Sequence, residues 1–299
     1  MAEMNSNPFF FLFCVALLLS ACSGALGGPT ATPTLSPTDT PLPTPSATPI
    51  PLAARVNDEE ILLATYQAEL QRLQTAQTEL GLTLTPEEQR QRVLDYLIEE
   101  ALLAQAAEKN GLAADEAAVN DELARLAAAQ GGEAALDAWI VRNGFSRESF
   151  QTHLQRALSA AAQRDAIANT VPNTAEQVHA RQILLLDAGQ ATLLHNQLLS
   201  GSDFLAQAIY YDPVTGGDLS WFPRGYLTQP AIEEAAFALE PGKFSPVIQT
   251  SFGYHIVYVV ERDPQRRLSL DARRMLQAQA LQAWMQEQRA ASRIEILIP

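Results

Sequence analysis

Apolar residues recur every three or four positions through most of residues 54–171, a spacing that places them on one face of an α-helix. The clearest helix begins at Thr85, which is followed by Pro86 and by a glutamate, Glu88, placed to complete a capping box. It ends near Asn110, next to a glycine. Its predicted buried face comprises Val93, Leu94, Leu97, Ile98, Ala101 and Leu102. This stretch is therefore predicted to form a helical lobe.

Four further helices complete the predicted helical lobe. The first begins at residues 57–60, an Asn-Asp-Glu-Glu sequence typical of a helix start, and ends near Gly81. The others are predicted at residues 115–130, around Trp139, and at residues 146–168. Because no metal-ligand spacing and no cluster of nucleophiles occurs in this part of the sequence, no metal or cofactor site is expected there.

The pattern changes at residue 173, where short apolar segments alternate with glycine turns. Strands are predicted at residues 178–185 and 255–260, and a helix at residues 232–239. Gly216-Gly217 and Pro241-Gly242 supply turns between these pieces. The segment is predicted to fold as an antiparallel sheet covered by helices, an α+β arrangement.

The segment after residue 263 returns to helical spacing and then switches to a period of two over its last residues, which predicts a helix and a short strand. The apolar stripe of this helix, which includes Leu276 and Trp284, must be buried against another element. We expect it to pack on the helical lobe, which makes the α+β segment an insert within one discontinuous helical domain. The chain is thus predicted to divide into a leader (1–21), a linker (22–53), the helical lobe (54–171), the insert (172–263) and the C-terminal helix and strand (264–299).

The first part of the chain is typical of an exported protein. Residues 9–19 are apolar, have the length of a signal-peptide core and precede Leu19-Ser20-Ala21-Cys22. This sequence resembles the lipobox of bacterial lipoproteins, which implies cleavage before Cys22 and lipid attachment to its thiol. Residues 1–8 depart from that pattern because they contain no Lys or Arg. Residues 27–51 alternate Pro with Thr and favour an extended spacer that holds the folded part away from the membrane.

Charge and cysteine content narrow the possible functions. The net charge of −14 argues against a nucleic-acid surface, which needs clustered Lys and Arg. The two cysteines are Cys14 and Cys22, and Cys14 lies in the apolar leader. Since only Cys22 would remain after cleavage, the folded part is expected to be stable through packing without disulfides.

The motifs between residues 173 and 263 resemble the parvulin family of peptidyl-prolyl cis/trans isomerases. In order, they are Val-His-Ala-Arg-Gln-Ile-Leu-Leu from residue 178, Gly-Gly-Asp-Leu from 216, Glu-Glu-Ala-Ala-Phe from 233, Pro-Gly at 241 and Phe-Gly-Tyr-His from 252. The arrangement of the whole chain is similar to the PrsA and SurA type of exported foldases and chaperones. The resemblance implies a parvulin-type domain inserted into a SurA- or PrsA-like helical lobe, with no cofactor.

The parvulin resemblance also implies a set of site residues. The two sheet histidines of the family correspond to Gln182 and His255, and its acidic or cysteine position corresponds to Asp212. The cup for the proline ring corresponds to Leu227, Ile232 and Phe252, which would bind substrate. This chain departs from the family at Gln182, which replaces a histidine, and at Ile232, which replaces an aromatic residue.

Plain structural roles are also open for these residues. His255 is compatible with an ordinary core histidine on a buried strand, and Asp212, which precedes a proline, is also a common turn initiator. Leu227, Ile232 and Phe252 are compatible with simple core positions. The sequence does not separate these roles from the catalytic ones.

Two functions fit the sequence best. The first is an extracytoplasmic, lipid-anchored peptidyl-prolyl cis/trans isomerase and chaperone that acts on the Xaa-Pro bonds of unfolded exported proteins. The second is a holdase that keeps the isomerase fold but binds clients with weak or no catalysis, which the departures at Gln182 and Ile232 favour. A lipoprotein unrelated to folding would explain the leader and the spacer but not the parvulin-like motifs.

Overall fold

The computed structural model describes residues 51–298, and the helical lobe begins with a hairpin and five helices in this range. The hairpin strands are β1 (Leu52–Val56) and β2 (Glu59–Leu62). The helices are α1 (Leu63–Leu80), α2 (Pro86–Lys109), α3 (Glu116–Gln130), α4 (Glu133–Arg142) and α5 (Arg147–Ala168). The predicted capping box of α2 is confirmed, because the Thr85 side chain accepts from the Glu88 amide and the Glu88 side chain accepts from the Thr85 amide.

The predicted helix start at residues 57–60 is wrong. Val56 pairs with Glu59 across a two-residue turn in an antiparallel hairpin, and α1 begins only at Leu63. Asn57 takes a left-handed backbone conformation (φ 57°), which asparagine tolerates better than most residues. Its side-chain amide donates to Gln105 and Ser292, so distant contacts stabilise the turn. An Asn-Asp pair suits both a turn and a helix start, and these tertiary contacts favour the turn.

The insert contains an antiparallel four-stranded sheet flanked by helices. Its strands are β3 (Thr174–Leu185), β4 (Asp218–Pro223), β5 (Ile248–Thr250) and β6 (Gly253–Arg267), in the spatial order β4-β3-β6-β5. Its helices are α6 (Ala188–Leu199), α7 (Phe204–Tyr211) and α8 (Pro230–Ala238). The α+β fold class predicted from the sequence is confirmed.

The two faces of this sheet pack against different helices. Val178, Val257 and Val259 share one apolar cluster with Ile232 and Phe237 of α8. On the other face, α6 and α7 cover a second apolar cluster, which consists of the buried residues Ile183, Leu185, Ala191, Leu194, Leu198, Phe204, Ala208 and Ile256. Side chains alternate across a strand, so each central strand contributes to both clusters. The middle of the sheet is thereby closed to water on both faces.

The end of the chain returns to the helical lobe. Helix α9 (Leu270–Ala291) places Met285 in the same buried cluster as Leu97 and Ile98 of α2, with Trp284 packed beside it. Strand β7 (Ile294–Ile296) then pairs antiparallel with β1, which gives a small sheet of order β2-β1-β7. Strand β6 continues past residue 263 and pairs with β3 as far as Thr174 and Arg267. The ribbon formed by β3 and β6 is therefore the connection between the sheet of the insert and the helical lobe.

Candidate active site

The centre of the candidate site is a hydrogen-bonded pair on the two central strands of the insert. Gln182 lies opposite Val257, and Leu184 lies opposite His255, so Gln182 and His255 are diagonal neighbours on one face of the sheet. Their side chains meet, with 2.9 Å between His255 Nδ1 and Gln182 Oε1. His255 as a whole residue is 3% exposed. The sequence prediction that Gln182 and His255 belong together is matched by this contact, while their roles stay predictions.

Thr250 completes a chain of hydrogen bonds through His255. The Gln182 oxygen can only accept, so Nδ1 carries the hydrogen and Nε2 accepts from the Thr250 hydroxyl at 2.9 Å. The same hydroxyl accepts from the Phe252 amide at 3.1 Å. Burial lowers the pKa of His255 below its usual value, which keeps the ring neutral at neutral pH. The chain therefore holds one tautomer of a neutral imidazole.

Sequence reasoning missed Thr250. A signal for it exists in the hairpin formed by β5 and β6, where Ile248 pairs with His255 and Thr250 pairs with Gly253. This tight pairing brings a residue five positions before His255 back to its ring. The Phe-Gly-Tyr-His motif marks the turn, but the register that selects Thr250 is visible only once the strands are paired.

Asp212 organises the loop between α7 and β4. Its carboxylate accepts from the amides of Val214 and Thr215, both at 3.1 Å, from the Thr215 hydroxyl, and from the Gly217 amide at 3.3 Å. These bonds, the one from the Thr215 hydroxyl first, lower the pKa of Asp212 to about 2. Asp212 is therefore an anion that shapes the loop, as expected of a turn initiator.

A cleft of about 420 Å³ opens beside this loop and next to the pair. Its lining residues are Gln182, Ile183, Leu184, Leu186, Ala208, Tyr211, Asp212, Thr215, Gly217, Asp218 and Leu219. The cleft brings Gln182 together with Asp212, as the sequence analysis expects of a common site. The side-chain nitrogen of Gln182 makes no hydrogen bond within the described part of the chain, so its N–H groups are free to donate to a ligand.

The three residues expected to form a cup lie in different surroundings. Ile232 is 2% exposed and belongs to the apolar cluster under α8, against which Leu227 packs. Phe252 is 60% exposed at the turn before β6 and is absent from the lining of the cleft. Leu219, which the sequence analysis did not single out, lines the cleft and packs against the cluster of Ile232. Leu219 therefore connects the cleft to Leu227 and Ile232.

Some predictions concern parts of the chain outside this site. Cys22 and residues 27–50 of the Pro/Thr segment lie outside the described residues. Among helices α1 to α9, none combines the length and the apolar character that a membrane crossing requires. Residues 51–298 also contain no group of three or more His, Cys, Asp or Glu side chains placed to hold a metal ion.

Two family models match the chain in succession. The SurA-like N-terminal domain matches residues 25–164, and the PPIC-type PPIase domain matches residues 173–274. The second match contains β3 to β6 and every residue of the candidate site. The border between the matches falls at the end of α5, where the helical lobe gives way to the insert.

Individual relatives show similarity over parts of their length. The foldase protein PrsA of Caldanaerobacter subterraneus subsp. tengcongensis is 42% identical over 87 residues, which are 27% of this chain and 28% of the relative. The chaperone SurA of Nitrosospira multiformis is 36% identical over 148 residues, which are 42% of this chain and 33% of the relative. The matches thus span about a third or less of these relatives.

Among solved structures, a peptidylprolyl isomerase (PrsA) from Bacillus cereus is 23% identical to this chain and has a TM-score of 0.46. The match covers 78% of this chain and 88% of the solved chain. The family assignment comes from the two successive domain matches and from the sequence relatives. The chain therefore contains a SurA-like N-terminal domain followed by a parvulin-type (PPIC-type) PPIase domain, and it is similar to the foldase PrsA and the chaperone SurA.

Proposed function

We propose that this protein is a peptidyl-prolyl cis/trans isomerase and a folding chaperone for exported proteins. The observation that carries the proposal is the neutral Thr250–His255–Gln182 chain at the side of a cleft lined by both apolar and polar residues. The PPIC-type match over residues 173–274 supports the same reaction class. Substrates are Xaa-Pro bonds of unfolded or partly folded proteins.

The reaction makes modest chemical demands. Rotation about the peptide bond faces a barrier of about 20 kcal/mol, and no covalent bond is broken. A catalyst needs only to bind the twisted amide better than the planar forms. In the proposed complex, the free N–H groups of Gln182 donate to the amide, and Leu219 supplies an apolar wall. His255 acts by holding the Gln182 side chain in place.

The remaining site residues contribute to binding. Asp212 holds the loop in its conformation and places a negative charge at the border of the cleft. Leu227 and Ile232 support the wall formed by Leu219, because all three share one apolar cluster. Phe252, exposed at the turn, contacts the part of the client beyond the proline.

A holdase that binds clients without isomerising them is the second candidate. It is favoured by the burial of Ile232, which leaves little of that side chain's surface for contact with a substrate. It is also favoured by the absence of Phe252 from the lining of the cleft. The cup for a proline ring is then incomplete, while the apolar lining of the cleft still binds extended chains.

The proposal includes a location and a domain arrangement. The resemblance of residues 19–22 to a lipobox supports an extracytoplasmic protein that is anchored by lipid on Cys22, with residues 22–53 as the spacer. The buried cluster shared by α2, α5 and α9 supports one discontinuous helical domain, formed by residues 54–171 and 264–299, that carries the insert.

A direct test measures isomerisation of a short Leu-Pro peptide by exchange NMR, without a coupling protease. His255→Ala should lower kcat/KM by about tenfold or more, since a placed polar group in a dry site contributes at least that much. Gln182→His should keep or raise the rate. His195→Ala, in α6 and outside the hydrogen-bond chain, is the matched control and should change little.

The two candidate functions give different results in this test. If neither the natural chain nor Gln182→His accelerates exchange, while the full chain still suppresses aggregation of an unfolded client, the isomerase proposal fails and the holdase is left. Loss of activity in His195→Ala equal to that in His255→Ala would refute the role given to the hydrogen-bond chain.

A further inference from the structure

The loop that presents Leu227, residues 224–227, is fastened by one carboxylate. Glu233, in the first turn of α8, accepts from the amides of Gly225 at 2.6 Å, Tyr226 at 2.9 Å and Leu227 at 3.0 Å. Both of its oxygens take part. Three successive loop amides thus converge on a single side chain, although the loop belongs to no helix or strand.

The same loop is also fastened from the C-terminal helix. The side-chain nitrogen of Gln279, on α9, donates to the Gly225 carbonyl at 2.6 Å. Leu276 of the same helix lies close to Gly225, because a Cβ atom added there would be 3.6 Å from its Cδ2 atom. Further along α9, Met285 is buried in the core of the helical lobe. One helix therefore contacts both the lobe core and the loop of the insert.

These three contacts require a carboxylate at residue 233. Hydrogen bonds from amides to an ionised acceptor are shorter and stronger than neutral ones. A glutamine at residue 233 would retain one acceptor oxygen but turn an N–H₂ group toward amide donors, which cannot accept it. The loop would then lose at least one of its bonds, and Leu227 would lose its position against the apolar cluster that includes Ile232 and Phe237.

We propose that Glu233 is a positioning residue for Leu227, which supports the Leu219 wall of the substrate site, and that Gln279 connects the loop of Leu227 to the helical lobe. This inference rests on the proposed function, because Leu227 is a substrate-binding residue only if the cleft binds Xaa-Pro segments. Movement of α9 in the helical lobe would then change how the insert binds a prolyl substrate.

The first experiment compares Glu233→Gln with Glu234→Gln in the full chain. Glu234 is the exposed neighbour on the same helix, and its side chain makes no hydrogen bond or ion pair within the described residues. Glu233→Gln should raise KM about tenfold and leave kcat within about twofold, since one charge-assisted bond is lost outside the reacting amide. The amide protons of Tyr226 and Leu227 should move upfield in its NMR spectrum. Equal kinetics and equal amide shifts in the two variants would overturn the proposal.

The second experiment compares Gln279→Ala with Gln282→Ala. Both replace an exposed glutamine on α9, but only Gln279 reaches the loop. Gln279→Ala should raise KM by about threefold, less than Glu233→Gln, because a neutral bond is lost. If both glutamine variants behave like the natural chain, the connection to the helical lobe is refuted.

Hydrogen exchange in the natural chain keeps the inference testable if a variant does not fold. The Gly225, Tyr226 and Leu227 amides should exchange slowly, whereas the exposed Thr228, for which no such bond is observed, should exchange quickly. Fast exchange of all four amides would contradict the hydrogen bonds that Glu233 accepts from the loop. Should the natural chain bind a Leu-Pro peptide without isomerising it, a weaker Kd in Glu233→Gln still supports the positioning role of Glu233, and the isomerase proposal alone fails.

Discussion

Gly217 offers a sharp test of how closely the cleft loop packs on the central strand. Its backbone lies in the left-handed region (φ 67°), and a Cβ atom built there would be 1.9 Å from the carbonyl oxygen of Gln182. A carbon and a carbonyl oxygen normally stay about 3.3 Å apart. Gly217→Ala must therefore move the loop away from β3 by more than about 1 Å, because the atom in its way belongs to the backbone.

The size of the effect follows from a comparison with Gly242→Ala. Gly242 has a similar left-handed conformation (φ 81°), but nothing lies within 4 Å of an added Cβ atom. Its substitution should lower the free energy of unfolding by about 1–2 kcal/mol, the strain of a side chain in that conformation. Gly217→Ala has the same strain and also breaks the bond from the Gln182 amide to the Gly217 carbonyl, 2.8 Å long. The lost bond adds about 1–3 kcal/mol, because both groups are left unpaired.

The assay is urea unfolding of both variants, followed by residue-resolved NMR signals from β3 and β6. Signals from these strands report the insert separately from the helical lobe. Gly217→Ala should also perturb the Gln182 side chain and lower isomerisation, while Gly242→Ala should leave the rate unchanged. Equal losses of stability in the two variants would refute the close approach at Gly217.

Three further predictions concern other parts of the chain. A chain ending at Leu268 lacks α9 and β7, so the helical lobe should lose its cooperative thermal transition in circular dichroism; an unchanged midpoint would contradict the shared core. Burial raises the pKa of the Glu100 carboxyl above its usual 4.5, so the folded protein holds this proton more tightly than the unfolded chain. The free energy of unfolding therefore falls as the pH rises through the raised pKa. Glu100→Gln should remove this loss when urea unfolding is compared at about pH 4 and about pH 7, whereas the exposed Glu108→Gln should not. The stability contributed by the Asp212 carboxylate is present above its usual pKa of 3.8 and is lost as the pH falls through about 2. The carboxyl ¹³C signal of Asp212 should therefore titrate near pH 2. A midpoint at pH 3.8 would contradict the hydrogen bonds that it accepts from the loop.

Much of the architecture could be predicted from local patterns. Thr85, Asp115 and Ser146 are the N-caps of three helices, because a short polar side chain before an apolar repeat satisfies the first amides wherever the helix later packs. The order of the glycine turns and strands in residues 173–263 likewise indicates the α+β insert. The resemblance of these motifs to the parvulin family implies that Gln182 and His255 are partners.

Other features required the tertiary structure. The Asn-Asp turn at residue 57 replaces a plausible helix start because Gln105 and Ser292, distant in sequence, bind the Asn57 side chain. Thr250 joins the site only through the register of β5 against β6, and a shift of one residue would point it away from His255.

The most consequential example is the loop 224–227. Its sequence, Arg-Gly-Tyr-Leu, indicates only a turn, and Glu233 resembles any acidic residue in the first turn of a helix. The two become connected when α8 folds back on the sheet and brings the carboxylate under three amides. Local patterns therefore determined most of the helices and strands, whereas the side chains that hold the site were decided by packing between elements far apart in the sequence.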